Sequence, residues 1–164
     1  MTQGQIAEII RLHERWLEQL EHGRPADFRK EYLVGVDFQG RDIQGWDLQE
    51  ANFRKANLKG ANFKGINLLG ADFEKARLKG TNFTGVNLEL VTGNGKELVS
   101  KQISKYWVVW WRDRIQIGCK KHSRDEWLAF SDREINALNP NALAWWKNHK
   151  EEVIEQSLKM GDKR

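Results

Sequence analysis

The sequence predicts a mainly β protein with α-helical flanks, in which the middle of the chain winds into a coil of very short strands. Three observations carry this expectation. An apolar residue recurs every five positions from Phe28 to Leu88 without an insertion. Glycine recurs two positions after many of those centres. Before and after this stretch the five-residue period gives way to helical and strand spacing.

The centres are Phe28, Leu33, Phe38, Ile43, Leu48, Phe53, Leu58, Phe63, Leu68, Phe73, Leu78, Phe83 and Leu88, thirteen in all. A five-residue period suits neither standard element. On an α-helix the centres would wind around the whole surface. On one continuous strand they would alternate faces. The chain must therefore turn within every repeat. The centre and the small residue two before it share one face of an extended piece, and the two residues after it form a corner. Gly35, Gly40, Gly45, Gly60, Gly65, Gly70, Gly80 and Gly85 take the second corner position, where a turn demands positive φ. Four repeats per coil stack like on like: Phe53 on Phe73, Phe63 on Phe83, Leu48 with Leu68 and Leu88, and Lys55 with Lys75. Three per coil would mix Phe with Leu and Gly with Lys. Thirteen repeats give a little over three coils, about 16 Å long at the usual strand spacing.

Units such as Ala51-Asn52-Phe53, Ala56-Asn57-Leu58 and Ala61-Asn62-Phe63 resemble the pentapeptide-repeat family, and the resemblance covers about 40% of the chain, residues 26–90. It implies a right-handed quadrilateral β-helix. The first full coil departs from the pattern, with Glu31, Arg41 and Trp46 at the inward small position. Trp46 is expected to plug the N-terminal end of the coil. Arg41 and Glu31 are expected to turn outward and make that coil irregular.

A coil of this kind has open ends that need covers. Residues 1–25 predict a capping helix from Thr2 to Glu21. Thr2 and Gln5 have capping-box spacing, and Ile6, Ile9, Ile10, His13, Trp16, Leu17 and Leu20 form an apolar stripe. Gly23 is expected to end the helix and Pro25 to lead into the coil. Residues 91–102 read as a linker around Thr92-Gly93-Asn94-Gly95. Residues 103–164 read as a Trp-rich α/β module: a β-hairpin of 103–111 and 114–119 about Arg112-Asp113, then helices. Ser123 with Glu126 and Ser131 with Glu134 are capping boxes, and Pro140 stands at the first position of a helix reaching Leu158.

Composition narrows the function classes. No stretch approaches the roughly 18 apolar residues of a membrane span, and the N-terminus carries no secretory pattern. One cysteine, Cys119, excludes an intrachain disulfide and suits a reducing cytoplasm. Net charge is −1 for residues 1–25, +1 for 26–90 and +4 for 91–164, which sums to +4. Cys119 and His122 have CxxH spacing, but scattered histidines do not complete a zinc signature. A helix N-terminus at Ser123 would favour a thiolate, yet no acid–base set or oxyanion device accompanies it. Neither a cofactor, a metal site nor a catalytic residue is expected. The Asp/Asn column preceding eleven of the thirteen centres reads as turn-bonding groups.

Two candidate interaction surfaces remain. Arg54, Lys55, Lys59, Lys64 and Lys79 should gather on neighbouring corners, as a place for an anion, diluted by Glu74. Trp107, Trp110 and Trp111, among six tryptophans in the last third of the chain, sit on both sides of one strand. One side is expected on the helices, the other on the coil end or a second subunit, as a dimer or partner interface. The combination of N-terminal helix, short coil, and a tail reading Ile117-Gly118-Cys119, His122-Ser123, Trp127-Leu128 and Ala144-Trp145-Trp146-Lys147 resembles phage- and prophage-encoded proteins of the family. That resemblance implies an accessory role in the cytoplasm of an infected bacterium, without enzyme activity. Dimers through the tail occur in the family. Some members mimic duplex DNA and bind type II topoisomerases, which needs an acidic rod; here ten basic and nine acidic residues lie between 26 and 90, so mimicry is disfavoured. The expectation is a binding protein that inhibits a host macromolecule, with a defence protein favoured. The alternative is capture of a nucleotide signal or nucleic acid by the lysines with aromatic stacking.

Overall fold

Every backbone pairing along the coil joins residues twenty apart, from Asp27 with Asp47 through Asn52 with Asp72 to Asp72 with Thr92. The structure, a computed structural model, describes residues 1–139 and 141–161. It divides into two compact units, Met1–Asn94 and Gly95–Arg164.

In the first unit the chain makes a corner every five residues and closes a coil every four corners. Phe53 N–H donates to Asp72 C=O at 2.7 Å, and Asp72 N–H donates back to Ala51 C=O at 3.0 Å. Each corner closes with a bond from the residue after it to the preceding centre, as Ala56 N–H to Phe53 C=O at 3.0 Å. The second corner residue takes positive φ throughout, whether glycine (Gly60, 67°) or not (Lys30, Glu50, Lys55, Lys75 and Leu90, 57–60°). That is the φ a type II turn needs, and the side-chain-bearing corners adopt it at a cost of roughly 1–2 kcal/mol each. Inside, the centres and small residues are buried, with Phe53 stacked on Phe73 at 5.2 Å and Phe63 on Phe83 at 5.5 Å. Thr81, at a small position, is buried and donates its hydroxyl to Leu58 C=O at 2.8 Å. The coil runs past residue 90: Val91 is buried, and Phe73 N–H donates to Thr92 C=O at 2.8 Å.

The first coil is regular in its backbone, contrary to the sequence expectation. Phe28 N–H reaches Asp47 C=O at 2.8 Å and Glu31 N–H closes its corner on Phe28 C=O at 3.1 Å. Only its side chains differ. Trp46 is buried with its ring 5.0 Å from Phe28 and 5.4 Å from Phe38. Arg41 is exposed and lies 3.8 Å from Glu14, while Glu31 is half-buried. Long side chains can leave the coil without the ladder giving way, because the ladder is made by backbone alone.

Helix α1, Gln3–Leu17, starts in the expected Thr2–Gln5 capping box. It stops earlier than Glu21. Gln19 takes φ 56°, and Leu20 N–H bonds Arg15 C=O at 2.9 Å while Gln19 N–H bonds Trp16 C=O at 3.0 Å. This is a Schellman ending with glutamine where glycine is usual. Gly23 serves another purpose: a Cβ there would lie 2.4 Å from Trp16 N, so glycine admits the returning chain. Leu17 and Leu20, assigned to the apolar stripe, are 60% and 47% exposed. Buried His13 meets the coil instead. Its Nδ1 accepts the Ala26 N–H at 3.1 Å, an amide that begins the coil and has no earlier turn to bond to.

The second unit is an antiparallel sheet in the order β1-β2-β3-β4, comprising β1 Leu98–Ile103, β2 Tyr106–Trp111, β3 Arg114–Ile117 and β4 Lys120–Ser123, with three helices. The expected hairpin about Arg112-Asp113 exists, with Trp111 opposite Arg114, but it is the middle of a four-stranded meander. The linker reading of 91–102 is corrected by β1, whose polar centre Ser100-Lys101-Gln102 gives no strand alternation. Positive φ at Ser104, Arg112 and Gly118 makes the three tight turns. Helices α2 Arg124–Ala129 and α3 Asp132–Leu138 begin in the two expected capping boxes. Helix α4 spans Ala142–Gly161, and Pro140, expected to open it, lies outside the described residues. Tyr106, Val108 and Trp110 share the face that packs on the helices: Tyr106 stands edge-on to Trp145 at 5.0 Å, and the Trp110 indole donates to Val153 C=O at 2.9 Å.

Three outcomes follow from these contacts. His13→Leu removes the acceptor for Ala26 N–H and should cost about 1–3 kcal/mol in urea denaturation. Leu90→Gly relieves left-handed strain at an exposed corner and should gain about 1 kcal/mol in the same assay. Hydrogen bonds from Ser123 and Ser131 hold the Glu126 and Glu134 carboxyls below their ordinary value of 4.5, and bonds from Arg29 hold Asp27 below 3.8. A carboxyl whose folded pKa is depressed stabilises the fold above its unfolded value and stops doing so as pH falls through the folded one. The melting temperature should therefore hold level at neutral pH and decline once pH drops below about 4.5.

Candidate interaction surface

The corner geometry fixes where each coil side chain points. The first corner residue stands outward, above its counterpart twenty residues earlier. Lys59 and Lys79 share such a column with Gln39, and consecutive coils are tied there by Gly40 N–H to Lys59 C=O at 2.8 Å and Gly60 N–H to Lys79 C=O at 3.0 Å. Lys64 stands on the next corner and Lys55 on the preceding one, below Lys75, both of the latter at φ 60°. All four candidate lysines are exposed.

Arg54 does not belong with them. Its guanidinium lies 2.6 Å from Glu74 and 3.5 Å from Asp72, across the coil boundary, so its charge is spent within the fold. Lys75 lies 3.4 Å from the same Glu74. Among the described residues, Lys55, Lys59, Lys64, Arg77 and Lys79 enter no ion pair. Arg77 escaped the sequence analysis as a site residue. It interrupts the Asp/Asn column, in register with Asn57, and is exposed on the face between the Lys55 and Lys59 corners. A basic residue in a column otherwise of Asp and Asn, two positions from Lys79, was the available signal.

The Asp/Asn column does bond the turns. Oδ1 accepts the N–H two residues on, as Asp72 from Glu74 at 2.8 Å, Asp37 from Gln39 at 2.9 Å and Asn82 from Thr84 at 3.0 Å. Asp37 sits at the foot of the basic face. Hydrogen bonds from Gln39 N–H and Asn57, with the charge of Arg77, hold its carboxyl below the usual value, so it is anionic at neutral pH. Among the described residues no group of three His, Cys, Asp or Glu side chains could hold a metal ion.

In the second unit Trp110 is 1% exposed and Trp111 8% exposed within the single chain, and Trp107 is half-buried. Of the three indoles assigned to an interface, Trp107 alone keeps appreciable surface open. Cys119 is exposed in the Gly118-Cys119 turn. The His122 ring stands edge-on to Trp127 at 5.1 Å and to Phe130 at 4.8 Å, which makes it a packing residue. A cleft of about 60 Å³ beside that turn, lined by Tyr106, Trp127 and Trp145, is far smaller than the roughly 300 Å³ of a small-molecule site. No described helix is long and apolar enough to cross a membrane.

Comparison with known proteins gives three kinds of result. Residues 32–68 and 51–89 match the family model for pentapeptide repeats, in eight copies. No curated protein matches the sequence. Solved structures do. A pentapeptide repeat protein from the Arabidopsis thaliana thylakoid lumen is 38% identical over 39% of this chain and 48% of its own, with a TM-score of 0.30. One from the cyanobacterium Cyanothece 51142 is 30% identical over 44% of this chain and 59% of its own, with a TM-score of 0.29. QnrB1, a plasmid-mediated fluoroquinolone resistance protein, is 21% identical over 42% of this chain and 39% of its own, with a TM-score of 0.26. This chain thus spans about half the length of the Arabidopsis protein. The stretch from residue 32 to residue 89, which the structure winds into four-sided coils, is a run of pentapeptide repeats.

Proposed function

We propose that this is a non-enzymatic binding protein, encoded by a phage or prophage, that binds and inhibits a host macromolecule in the bacterial cytoplasm, with a defence protein the favoured target. The observation that carries the binding role is the coil surface. Its outward columns are fixed by backbone ladders, and one face presents cations that enter no ion pair among the described residues. Preorganised side chains lose little entropy on association, so a rigid coil favours a partner over a reaction. The phage assignment rests on the resemblance of the flanks to phage-encoded relatives, and the choice of a defence protein follows from that origin.

A protein partner is preferred to a nucleotide or nucleic acid. Sequence-tolerant nucleic-acid capture needs open aromatic faces beside the cations. Trp110 and Trp111 are buried, which withdraws two of the three indoles assigned to an interface from any such stacking. A homodimer through the second unit would use Trp107.

The test is affinity capture of the tagged protein from a bacterial lysate, with mass spectrometry of captured proteins and of small molecules released by heat. One stoichiometric host protein is the expected result. Release of a nucleotide or nucleic acid with no protein partner would overturn the reading. Light scattering of the purified protein reports whether it dimerises.

A further inference from the structure

We propose that the coil face carrying the Phe38, Leu58 and Leu78 centres is the docking surface, and that it takes an acidic α-helical segment of a protein partner. This deepens the protein-binding reading and rests on it.

The face has a defined set of charges. Lys59 and Lys79 stand on its trailing corner, one above the other, and Lys55 on its leading corner, with Arg77 between them on the upper coil. None of the four is in an ion pair among the described residues. All four are exposed. Unlike Arg54, whose carboxylate partners lie at 2.6 and 3.5 Å, Lys55, Lys59 and Lys79 are left for something outside the unit, while Arg77 acts on Asp37 through its charge without forming an ion pair among the described residues.

The dimensions of the patch select the partner. Adjacent coils are about 4.8 Å apart, so stacked cations repeat at close to the 5.4 Å pitch of an α-helix. Carboxylates at i and i+4 on a helix could meet Lys59 and Lys79 together, and the planar Arg77 fork suits a carboxylate pair. A nucleic acid fits less well. Duplex DNA presents a charge every ~1.7 Å along its axis and needs a long basic track. Here the track ends after two coils. Below it lie Asp37 and Gln39, with Asp42 at the equivalent place on the next face, and beside it Glu74 and Asp72 engage Arg54. An extended phosphate backbone leaving the patch along the coil would run onto carboxylates.

The coil supplies substitutions that its own columns already accept. Gln39 shares a column with Lys59 and Lys79, and Asn57 shares one with Arg77. The variant Lys59→Gln/Arg77→Asn/Lys79→Gln therefore keeps the repeat pattern, and Lys59→Gln/Lys79→Gln is a milder second variant. A control, Lys105→Gln/Lys120→Gln/Arg133→Gln, removes the same charge from exposed positions of the second unit. The probes are a fluorescein-labelled alanine-rich helical peptide with glutamates at i and i+4, and a single-stranded oligonucleotide of equal charge. Binding is read by fluorescence anisotropy at low salt, with melting temperatures checking that each variant is folded.

The expected result is at least a tenfold loss of peptide affinity in the triple variant, a smaller loss in the double, and no change in the control. Equal peptide affinity in the wild type and the triple variant overturns the assignment of the face. So does an equal loss in the control, which would mean that net charge alone is read. Tighter binding of the oligonucleotide than of the peptide overturns the choice of partner. If lysate capture returns no protein while the peptide still binds through this face, the functional reading fails and the surface assignment stands. A captured protein whose binding ignores both variants gives the reverse.

Discussion

The two-way backbone ladder between coils is the constraint on which the first unit depends. Each short extended piece donates to the coil above and receives from it, as the Phe53, Asp72 and Ala51 bonds illustrate. A buried amide without a partner costs more than a typical hydrogen bond gains, so the corners must fall at the same place in every coil. Five-residue spacing follows, and with it the choice between glycine and a strained residue at every second corner position. The apolar columns are a consequence of this arithmetic. Once the corners are fixed, equal positions coincide, and Phe53 meets Phe73 as Phe63 meets Phe83.

The ends of the coil show the same constraint from the other side. At the first turn there is no earlier coil to accept the Ala26 amide, and a histidine from α1 provides the acceptor. Trp46 fills the interior of the first coil beside Phe28 and Phe38, at the position that Ile66 and Val86 take in the coils above. In the second unit indoles play a comparable part: those of Trp110, Trp127 and Trp145 all donate to backbone carbonyls, of Val153, Ile115 and Ile103. Tryptophan there brings bulk and a donor together, so the side chains that fill the core also bond backbone carbonyls of the sheet and of α4.

How much of this could be read from the chain varies with the source of the order. The coil was legible because a backbone ladder repeats, and a repeat prints itself on the sequence at Phe53, Phe73, Gly60 and Gly80. The capping boxes at Thr2, Ser123 and Ser131 were legible because they are local. Strand β1 was not, since Ser100, Lys101 and Gln102 carry no alternation and its pairing with β2 is a tertiary matter. The end of α1 was misplaced because Gln19 adopts a conformation for which glycine is the usual sign. On the candidate surface the stacked lysines were visible by counting in twenties, whereas the neutralisation of Arg54 required the distances to Asp72 and Glu74. Arg77 breaks the Asp/Asn pattern in the sequence, and its place on the basic face emerges only when the columns are wrapped.

The twenty-residue closure also limits how such a chain can change length. Insertion of a single residue would shift the register of every pairing that spans it, whereas insertion of five preserves the ladder but turns all later columns by a quarter of the coil. A duplicated repeat placed between residues 60 and 75 would thus move Lys79 off the column of Lys59 and onto the next face. Between Lys55 and Lys79, only whole coils can be gained or lost without redistributing the charges of the basic face. The repeat number between Lys55 and Lys79 is therefore part of the surface chemistry, and length variation within that stretch should come in steps of twenty residues wherever the basic face is retained.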